Sequence, residues 1–170
     1  GNGWLANKIS YLENTYIIGV DVNEFELEQA TRVFGKKKNL LFAYTNIFEP
    51  ALSEIKFDII ILAAVIQYFP DSTQLLDNLI LILTDGGELH ILDSPLYNAK
   101  NIDKAKENTL QYYNQNGFPE MAKFYHHHLF SILKNYKKTI LYNPHNIIKK
   151  SIRYFIRKDE SPFYWIKITK

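Results

Sequence analysis

The sequence predicts an α/β fold built on a doubly wound sheet that is mostly parallel, with an antiparallel strand near the C-terminus. Short apolar runs alternate with helical patterns over the first 95 residues, and this alternation is typical of strand–helix–strand units. The early runs are continuously apolar, as in strands that are covered on both faces. After residue 95 the pattern changes and closes with two strand-like runs, which predict a hairpin.

The first part of the chain predicts a helix, a strand, a second helix and a second strand. Apolar side chains recur at helical spacing over residues 4–12, which indicates an amphipathic helix. "YIIGVDV" is a continuous apolar run closed by an acid, and predicts a strand buried on both faces. Asn23 and Glu26 have the spacing of a capping box, so a helix is expected to begin there. "NLLFAY" predicts the next strand.

The middle of the chain continues the same alternation. "KFDIIILAA" predicts a strand, and the helix after it is expected to begin at residues 70–72. "DGG" at 85–87 predicts a turn, after which "ELHILD" alternates into another strand. Residues 98–116 are polar and are expected to be helical.

The C-terminal part predicts two further strands, "KKTILYN" and "FYWIKIT", with a helix between them. That helix, over residues 145–158, segregates large apolar side chains from Lys and Arg, as in a basic amphipathic helix. The chain has the length of one domain. We therefore expect a single domain over residues 1–170, with helical insertions on the substrate side at 96–136 and 143–161.

Composition limits the kinds of site and the location. The chain has no cysteine, which excludes disulfides and cysteine-ligated zinc or iron–sulfur centres and makes the cytoplasm the expected location. Net charge is only +2, yet residues 1–120 carry −7 and residues 121–158 carry +9. A basic C-terminal part is expected to face an anionic partner or the acidic part of its own chain.

The residues at the carboxyl ends of the predicted strands are the candidates for binding, because ligands of doubly wound sheets bind there. Gly1 and Gly3 lie at the start of the first helix, and Asp21 ends the next strand eighteen residues later. A glycine-rich turn and a carboxylate at that distance fit a phosphate or carboxylate at the turn and a ribose at the acid. The two features together predict a cofactor that contains adenosine.

In order and spacing, residues 1–95 resemble the class I S-adenosylmethionine-dependent methyltransferases, which have a Rossmann-like sheet. "GNG" looks like the last two glycines of the family's G-x-G-x-G turn. The later segments resemble the second to fifth motifs of the family, in the order "GVDVNEFELEQA", "FAYTNIFEP", "FDIIILAAVIQYFPD" and "LTDGGELHILD".

The resemblance implies S-adenosylmethionine as the cofactor and assigns roles to several side chains. Asp21 would bind the ribose, Val22 would lie against the adenine, Asn46 would meet the adenine amino group and Ile47 would flank the ring. The full set of implied cofactor-binding residues is Gly1, Asn2, Gly3, Asp21, Val22, Asn46, Ile47, Leu62, Ala63 and Gln67.

Two departures from the family pattern affect these expectations. Asn46 replaces the usual aspartate, and it retains the ability to donate or accept a hydrogen bond. The family's first strand and first glycine have no counterpart before Gly1. The chain is therefore expected to be truncated at its N-terminus and to bind the cofactor poorly.

Three side chains are candidates for catalysis: Tyr68, after the predicted strand "KFDIIILAA", and His127 and His128 in the run "YHHH". A histidine could remove a proton from a hydroxyl acceptor. The alternative is that Tyr68 packs and that the histidines are partly buried or solvated. No metal site is expected, because consecutive residues point in different directions and cannot meet at one ion.

Two alternative functions remain open from the sequence. "GNGWLA" also satisfies the G-x-G-x-x-A pattern of NAD(P)-dependent oxidoreductases. The chain could also be a non-catalytic member of the methyltransferase fold. The expected acceptor is a small molecule or a lipid, with possible peripheral membrane contact through residues 145–158. Nucleic acid is not expected, since residues 1–120 are net acidic and no basic patch interleaved with aromatic residues crosses the predicted cofactor edge.

Overall fold

A computed structural model describes residues 1–145 and 161–170. They form two compact units, Gly1–Glu54 and Ile55–Lys170, each of which is described by itself. The helices are α1 Trp4–Ile9, α2 Glu24–Phe34, α3 Pro50–Ser53, α4 Ser72–Leu81 and α5 Ile102–Gln115. The strands are β1 Ile17–Asp21, β2 Leu40–Tyr44, β3 Phe57–Ala63, β4 Leu83–Leu92, β5 Leu96–Tyr97, β6 His128–Leu129, β7 Lys138–Tyr142 and β8 Trp165–Thr169. Short 3-10 helices span Ile66–Tyr68, Pro119–Phe124 and Phe130–Asn135.

The first unit is built on two parallel strands. β1 and β2 pair from Ile17 opposite Leu40 to Asp21 opposite Tyr44, so both strands end at the same edge. The predicted cap is present: the Asn23 side chain accepts a hydrogen bond from the Glu26 backbone N–H, and α2 begins at Glu24. The core of this unit is formed by Leu27, Ala30, Leu40 and Leu52.

Gly3 is required by packing in the first unit. Its φ is +78°, which is in the left-handed region. A Cβ atom built on Gly3 would lie 2.7 Å from the Ala30 methyl carbon and 2.7 Å from Cζ of Phe42. Any larger residue would both strain the backbone and displace these side chains.

The second unit contains a four-stranded sheet in the order β3-β4-β8-β7. β3 and β4 are parallel, while β8 is antiparallel to both of its neighbours. Helix α4 packs against β4. The fully buried side chains that form the core include Leu75, Leu76, Leu79, Leu89, Ile91, Ile166 and Ile168. The predicted α/β class, with parallel strands and an antiparallel strand near the C-terminus, is confirmed.

A short parallel pair of strands lies within the segment 96–136, for which the sequence predicts only helices. Leu96 pairs with His128, and Tyr97 pairs with Leu129. A two-residue ladder has no periodic sequence signature, so the pattern could not reveal it. The pairing fixes the end of the histidine run beside the segment that follows β4.

Three local expectations are corrected. The turn at 85–87 lies inside β4, which starts at Leu83, because the register shifts between Phe57 and Ile59 and the extra residues form a bulge. The first helix ends at Ile9 and buries none of its side chains. Strand β1 is half-buried along its length, since in the described part of the chain it pairs with β2 alone.

All of the basic helix expected at 145–158 except His145, and most of the expected insertion 143–161, lie outside the described residues. None of the helices in residues 1–145 and 161–170 has the length and apolar composition needed to cross a membrane.

Candidate active site

At the carboxyl edge of the first unit, Asp21 and Val22 follow β1. Asp21 Oδ1 accepts a hydrogen bond from the Asn23 backbone N–H at 2.8 Å. The Gly1 backbone nitrogen contacts the same carboxylate. Val22 is 64% exposed beside it. The structure therefore brings the predicted glycine turn and the predicted ribose-binding acid together and presents an apolar side chain next to them.

Asn46 and Ile47 follow β2 at the same edge. Asn46 is exposed, and its Oδ1 accepts a hydrogen bond from the Phe48 backbone N–H at 3.1 Å. Ile47 is half-buried. Since Asp21 lies opposite Tyr44 in the parallel ladder, Val22 and Asn46 emerge from adjacent strand ends. An acid, an amide and two apolar side chains at one edge have the chemistry that an adenosine group requires.

Asn2 and Gly3 form the turn that leads into α1. Asn2 Oδ1 accepts a hydrogen bond from the Trp4 backbone N–H at 3.2 Å, which orders this turn. With Gly3 held in its left-handed conformation, the turn has a fixed shape. Of the predicted residues of this unit, only Gly1 and Asp21 contact each other directly through a described interaction.

In the second unit, the carboxyl end of β3 carries Leu62, Ala63 and Gln67. Leu62 is buried and Ala63 is exposed. Ala64 follows with a φ of +55°, a conformation that strains a residue with a Cβ atom. Gln67 is only 5% exposed, and its Nε2 donates to the Ala64 carbonyl at 2.8 Å.

Gln67 Oε1 is a buried acceptor that has no hydrogen-bond partner among the described residues. A buried polar atom left unpaired costs about 1–3 kcal/mol. Strained backbone and an unpaired polar atom at one strand end are typical of places that bind a ligand. Gln67 therefore fits a ligand that presents an N–H or O–H donor.

The residues after β3 also hold the histidine run in place. The His126 backbone N–H donates to the Gln67 carbonyl at 2.7 Å. The buried His128 ring has its Nε2 3.2 Å from the Ile66 carbonyl. A carbonyl oxygen only accepts, so His128 donates through Nε2. The turn after β3 and the histidine run thus form one connected structure.

His127 points to a different partner, on α5. Its Nε2 lies 2.9 Å from the Thr109 hydroxyl oxygen. The ring centroids of Tyr97 and Tyr125 lie 5.3 and 5.1 Å from that of His127. Burial lowers the pKa of His127 and also that of His128, although nearby backbone carbonyls act in the opposite direction. His127 is consequently a neutral imidazole at pH 7, ordered by a hydroxyl and two rings.

Tyr68 belongs to the same aromatic cluster. Its ring meets that of Tyr125 edge-on, with centroids 6.2 Å apart. Burial, and then the neighbouring Tyr97, raise the pKa of Tyr125, so its hydroxyl remains protonated. Tyr68 is 55% exposed and available to a ligand. The structure therefore brings two of the three candidate catalytic residues, Tyr68 and His127, into ring contact with Tyr125.

An open cavity of about 370 Å³ lies beside the histidine run. It is lined by Pro70, Lys106, Thr109, Leu110, Ala122, Tyr125, His126, His127 and His128. In the described ranges, no group of three or more His, Cys, Asp or Glu side chains is arranged to hold a metal ion. The cavity has the size and the mixture of apolar and polar groups of a small-molecule site.

The sequence did not reveal four of the residues that build this site. Thr109 and Lys106 lie three positions apart on α5, within a polar helix that contains no motif. Tyr97 and Tyr125 are two of twelve tyrosines. Their roles depend on contacts between segments that are distant in sequence, and no spacing rule identifies such contacts.

The lowered pKa values of His127 and His128 predict a pH dependence of stability. Both folded-state values lie below 6.5, the ordinary value that applies in the unfolded chain. The unfolded chain then binds more protons between the folded-state pKa and 6.5, so the free energy of unfolding falls as pH falls through that window. Each histidine contributes at most about 1.4 kcal/mol per pH unit. Urea unfolding between pH 5 and pH 8 should show the loss.

His128→Gln should make this pH dependence shallower, whereas His145→Gln should leave it unchanged. His145 is exposed and does not line the cavity. Equal stability at pH 5.5 and pH 7.5 in the unmodified protein would contradict the prediction.

Comparison with protein families identifies the chain. Residues 1–157 match a family described as a methyltransferase domain. A comparison with curated protein sequences finds no match. The family match covers most of the chain, and it decides against the alternative of an NAD(P)-dependent oxidoreductase.

Solved methyltransferase structures share the fold. The plantazolicin methyltransferase BpumL, in complex with a pentazolic desmethylPZN analog and SAH, is 17% identical at a TM-score of 0.63, over 100% of this chain and 73% of that one. The N-methyltransferase NodS from Bradyrhizobium japonicum WM9 is 16% identical at a TM-score of 0.54, over 100% of this chain and 81% of that one. NodS in complex with S-adenosyl-L-homocysteine is 15% identical at a TM-score of 0.52, over 99% of this chain and 71% of that one. The chain belongs to the methyltransferase domain family and has the fold of the class I S-adenosylmethionine-dependent methyltransferases.

Proposed function

We propose that this enzyme transfers a methyl group from S-adenosylmethionine to a small-molecule or lipid acceptor in the cavity beside His127. The observation that carries the proposal is the neutral, half-buried and hydrogen-bonded imidazole of His127 at an open cavity. The cavity adjoins the residues that follow β3, which include the strained Ala64 and Gln67, whose Oε1 has no partner among the described residues.

The described side chains fit the cofactor in each unit taken separately. When bound, S-adenosylmethionine supplies a methyl group attached to a positively charged sulfur. In the first unit, Asp21 offers a carboxylate to the ribose hydroxyls, and Val22, Asn46 and Ile47 offer an adenine site. In the second unit, the unpaired Oε1 of Gln67 offers an acceptor to a donor group of the ligand. The glycine turn at Gly1–Gly3 contributes backbone N–H groups.

His127 is proposed to accept the proton that the acceptor atom loses. A hydroxyl or ammonium group must lose its proton before or during attack on the methyl carbon, and only a neutral imidazole can take it. The lowered pKa keeps His127 in that form at pH 7. Thr109 orients the ring, and Tyr97 and Tyr125 limit its movement. Tyr68 and His128 are proposed to complete the wall on the acceptor side.

The volume of the cavity supports an acceptor of modest size. The BpumL structure contains a desmethylPZN analog together with SAH. In the chain described here, the cavity of about 370 Å³ can hold a small molecule or the end of a longer one. We also propose that residues 96–136 form the acceptor side of a single domain, because α5 and the run 126–128 supply most of the cavity wall.

The test combines binding with transfer. Calorimetric titration with S-adenosylmethionine, S-adenosylhomocysteine and NADH should show binding of the first two only. S-adenosylhomocysteine release should then be measured with two sets of acceptors, soluble phenols and amines, and phospholipid vesicles. Tight NADH binding, or no S-adenosylmethionine binding, would overturn the proposed function. Release with vesicles alone would identify a lipid acceptor, and release with soluble compounds a small molecule.

A further inference from the structure

The cavity beside the histidine run is lined by hydrogen-bond donors and by one cation. Lys106 provides an ammonium group, Thr109 and Tyr125 provide hydroxyls, and His126, His127 and His128 provide imidazoles. None of the lining residues is an acid. A wall of this composition is complementary to an oxyanion and unfavourable for a ligand with a fixed positive charge.

Two carboxylates outside the lining act on its residues, and both are compatible with an anionic ligand. Asp103 pairs with Lys106 at 3.4 Å, with side chains that are 85% and 53% exposed. An exposed pair of this kind contributes little, so Lys106 can exchange its partner for a ligand. The second carboxylate is Asp71 at the start of α4, whose negative charge acts to raise the pKa of His128. Its Oδ1 already accepts a hydrogen bond from the Gln74 backbone N–H at 2.9 Å.

The donor side chains of the cavity differ in whether they already form hydrogen bonds within the protein. His128 donates to Ile66, and His127 is bonded to Thr109. By contrast, no hydrogen bond to the His126 imidazole is found within residues 1–145 and 161–170. His126 and Lys106 therefore have donor capacity that a ligand can use.

We propose that this cavity binds an oxyanion, a carboxylate or a phosphate group carried by the methyl acceptor. Lys106 and His126 are the principal donors. The inference rests on the proposed function in one respect, namely that the occupant of the cavity is the acceptor. Holding the acidic end of the acceptor at Lys106 would position the rest of the molecule along the wall that leads to His127.

The test uses the whole chain with inorganic phosphate and acetate as probes. Histidine ring resonances are followed by NMR at pH 7 while each anion is added at constant ionic strength. Three of the five histidines line the cavity, and His90 and His145 do not. Saturable shifts confined to the three cavity histidines are the expected result. A phosphate response larger than the acetate response would indicate a phosphorylated acceptor, and the reverse a carboxylic acid.

Variants on α5 provide a matched comparison. Lys106→Gln should weaken anion binding about fivefold or more, because a charge-assisted hydrogen bond is lost. Lys104→Gln removes the same charge from the same helix at a position that does not line the cavity, and it should change the affinity less than twofold. Equal effects of the two variants, or no saturable shift in the cavity histidines, would overturn the proposal. These outcomes are read without S-adenosylmethionine, so they are separate from the test of methyl transfer.

Discussion

Asp21→Ala is expected to weaken S-adenosylmethionine binding at least tenfold. The carboxylate lies at the carboxyl end of β1 beside the glycine turn, where it can accept from the two ribose hydroxyls. Each hydrogen bond to a charged group contributes about 1.5–3 kcal/mol, and 1.4 kcal/mol corresponds to a factor of ten in affinity. Calorimetric titration of the variant and the unmodified chain measures the difference.

The Asp21 side chain also accepts from the Asn23 backbone, so folding must be measured alongside affinity. Asp21→Asn retains an acceptor for that N–H and loses the charge, and thermal unfolding without ligand reports any structural effect. Glu24→Ala removes a nearby carboxylate at the start of α2 and should leave affinity unchanged. If Asp21→Ala unfolds normally and binds as tightly as the unmodified chain, Asp21 does not hold the ribose.

His127→Gln is expected to lower kcat by about a hundredfold or more, while the KM for S-adenosylmethionine changes less than threefold. General-base catalysis contributes factors of about 10²–10⁴, and glutamine keeps the ability to hydrogen-bond Thr109 but cannot take up the proton. In the unmodified enzyme, kcat should fall as pH decreases below 6.5 through the lowered pKa of His127, because the protonated ring is no longer a base. Initial rates from pH 5 to pH 8 test both statements.

The pH profile separates a base from a residue that only packs. In His127→Gln, kcat should no longer show the fall at low pH that comes from protonation of His127. In His127→Ala, added imidazole should restore part of the rate. His145→Gln serves as the control, since His145 is exposed and is not one of the residues that line the cavity. An unchanged acid limb in His127→Gln would assign the proton transfer to another group.

The local pattern predicted most elements because strands and helices depend largely on neighbouring residues. Asn23 begins α2 as expected, and the apolar run at 57–63 is β3. Burial was predicted less well. Continuous apolar sequence indicated a β1 covered on both faces, yet β1 is only half-buried, because burial depends on which segments pack against a strand. The bulge in β4 likewise depends on its register with β3.

The sequence by itself determined the α/β class and the positions of Asp21, Asn46 and the residues after β3 at strand ends, because hydrophobic periodicity and capping are properties of short stretches of chain. The methyltransferase family was indicated by the resemblance of residues 1–95 to the motifs of that family. Only the tertiary structure decided that His127 bonds Thr109, that His128 is held by Ile66, and that Lys106 shares their cavity. Contacts between distant segments are set by packing and burial, and it is these that lower the pKa of a histidine and give it a chemical role.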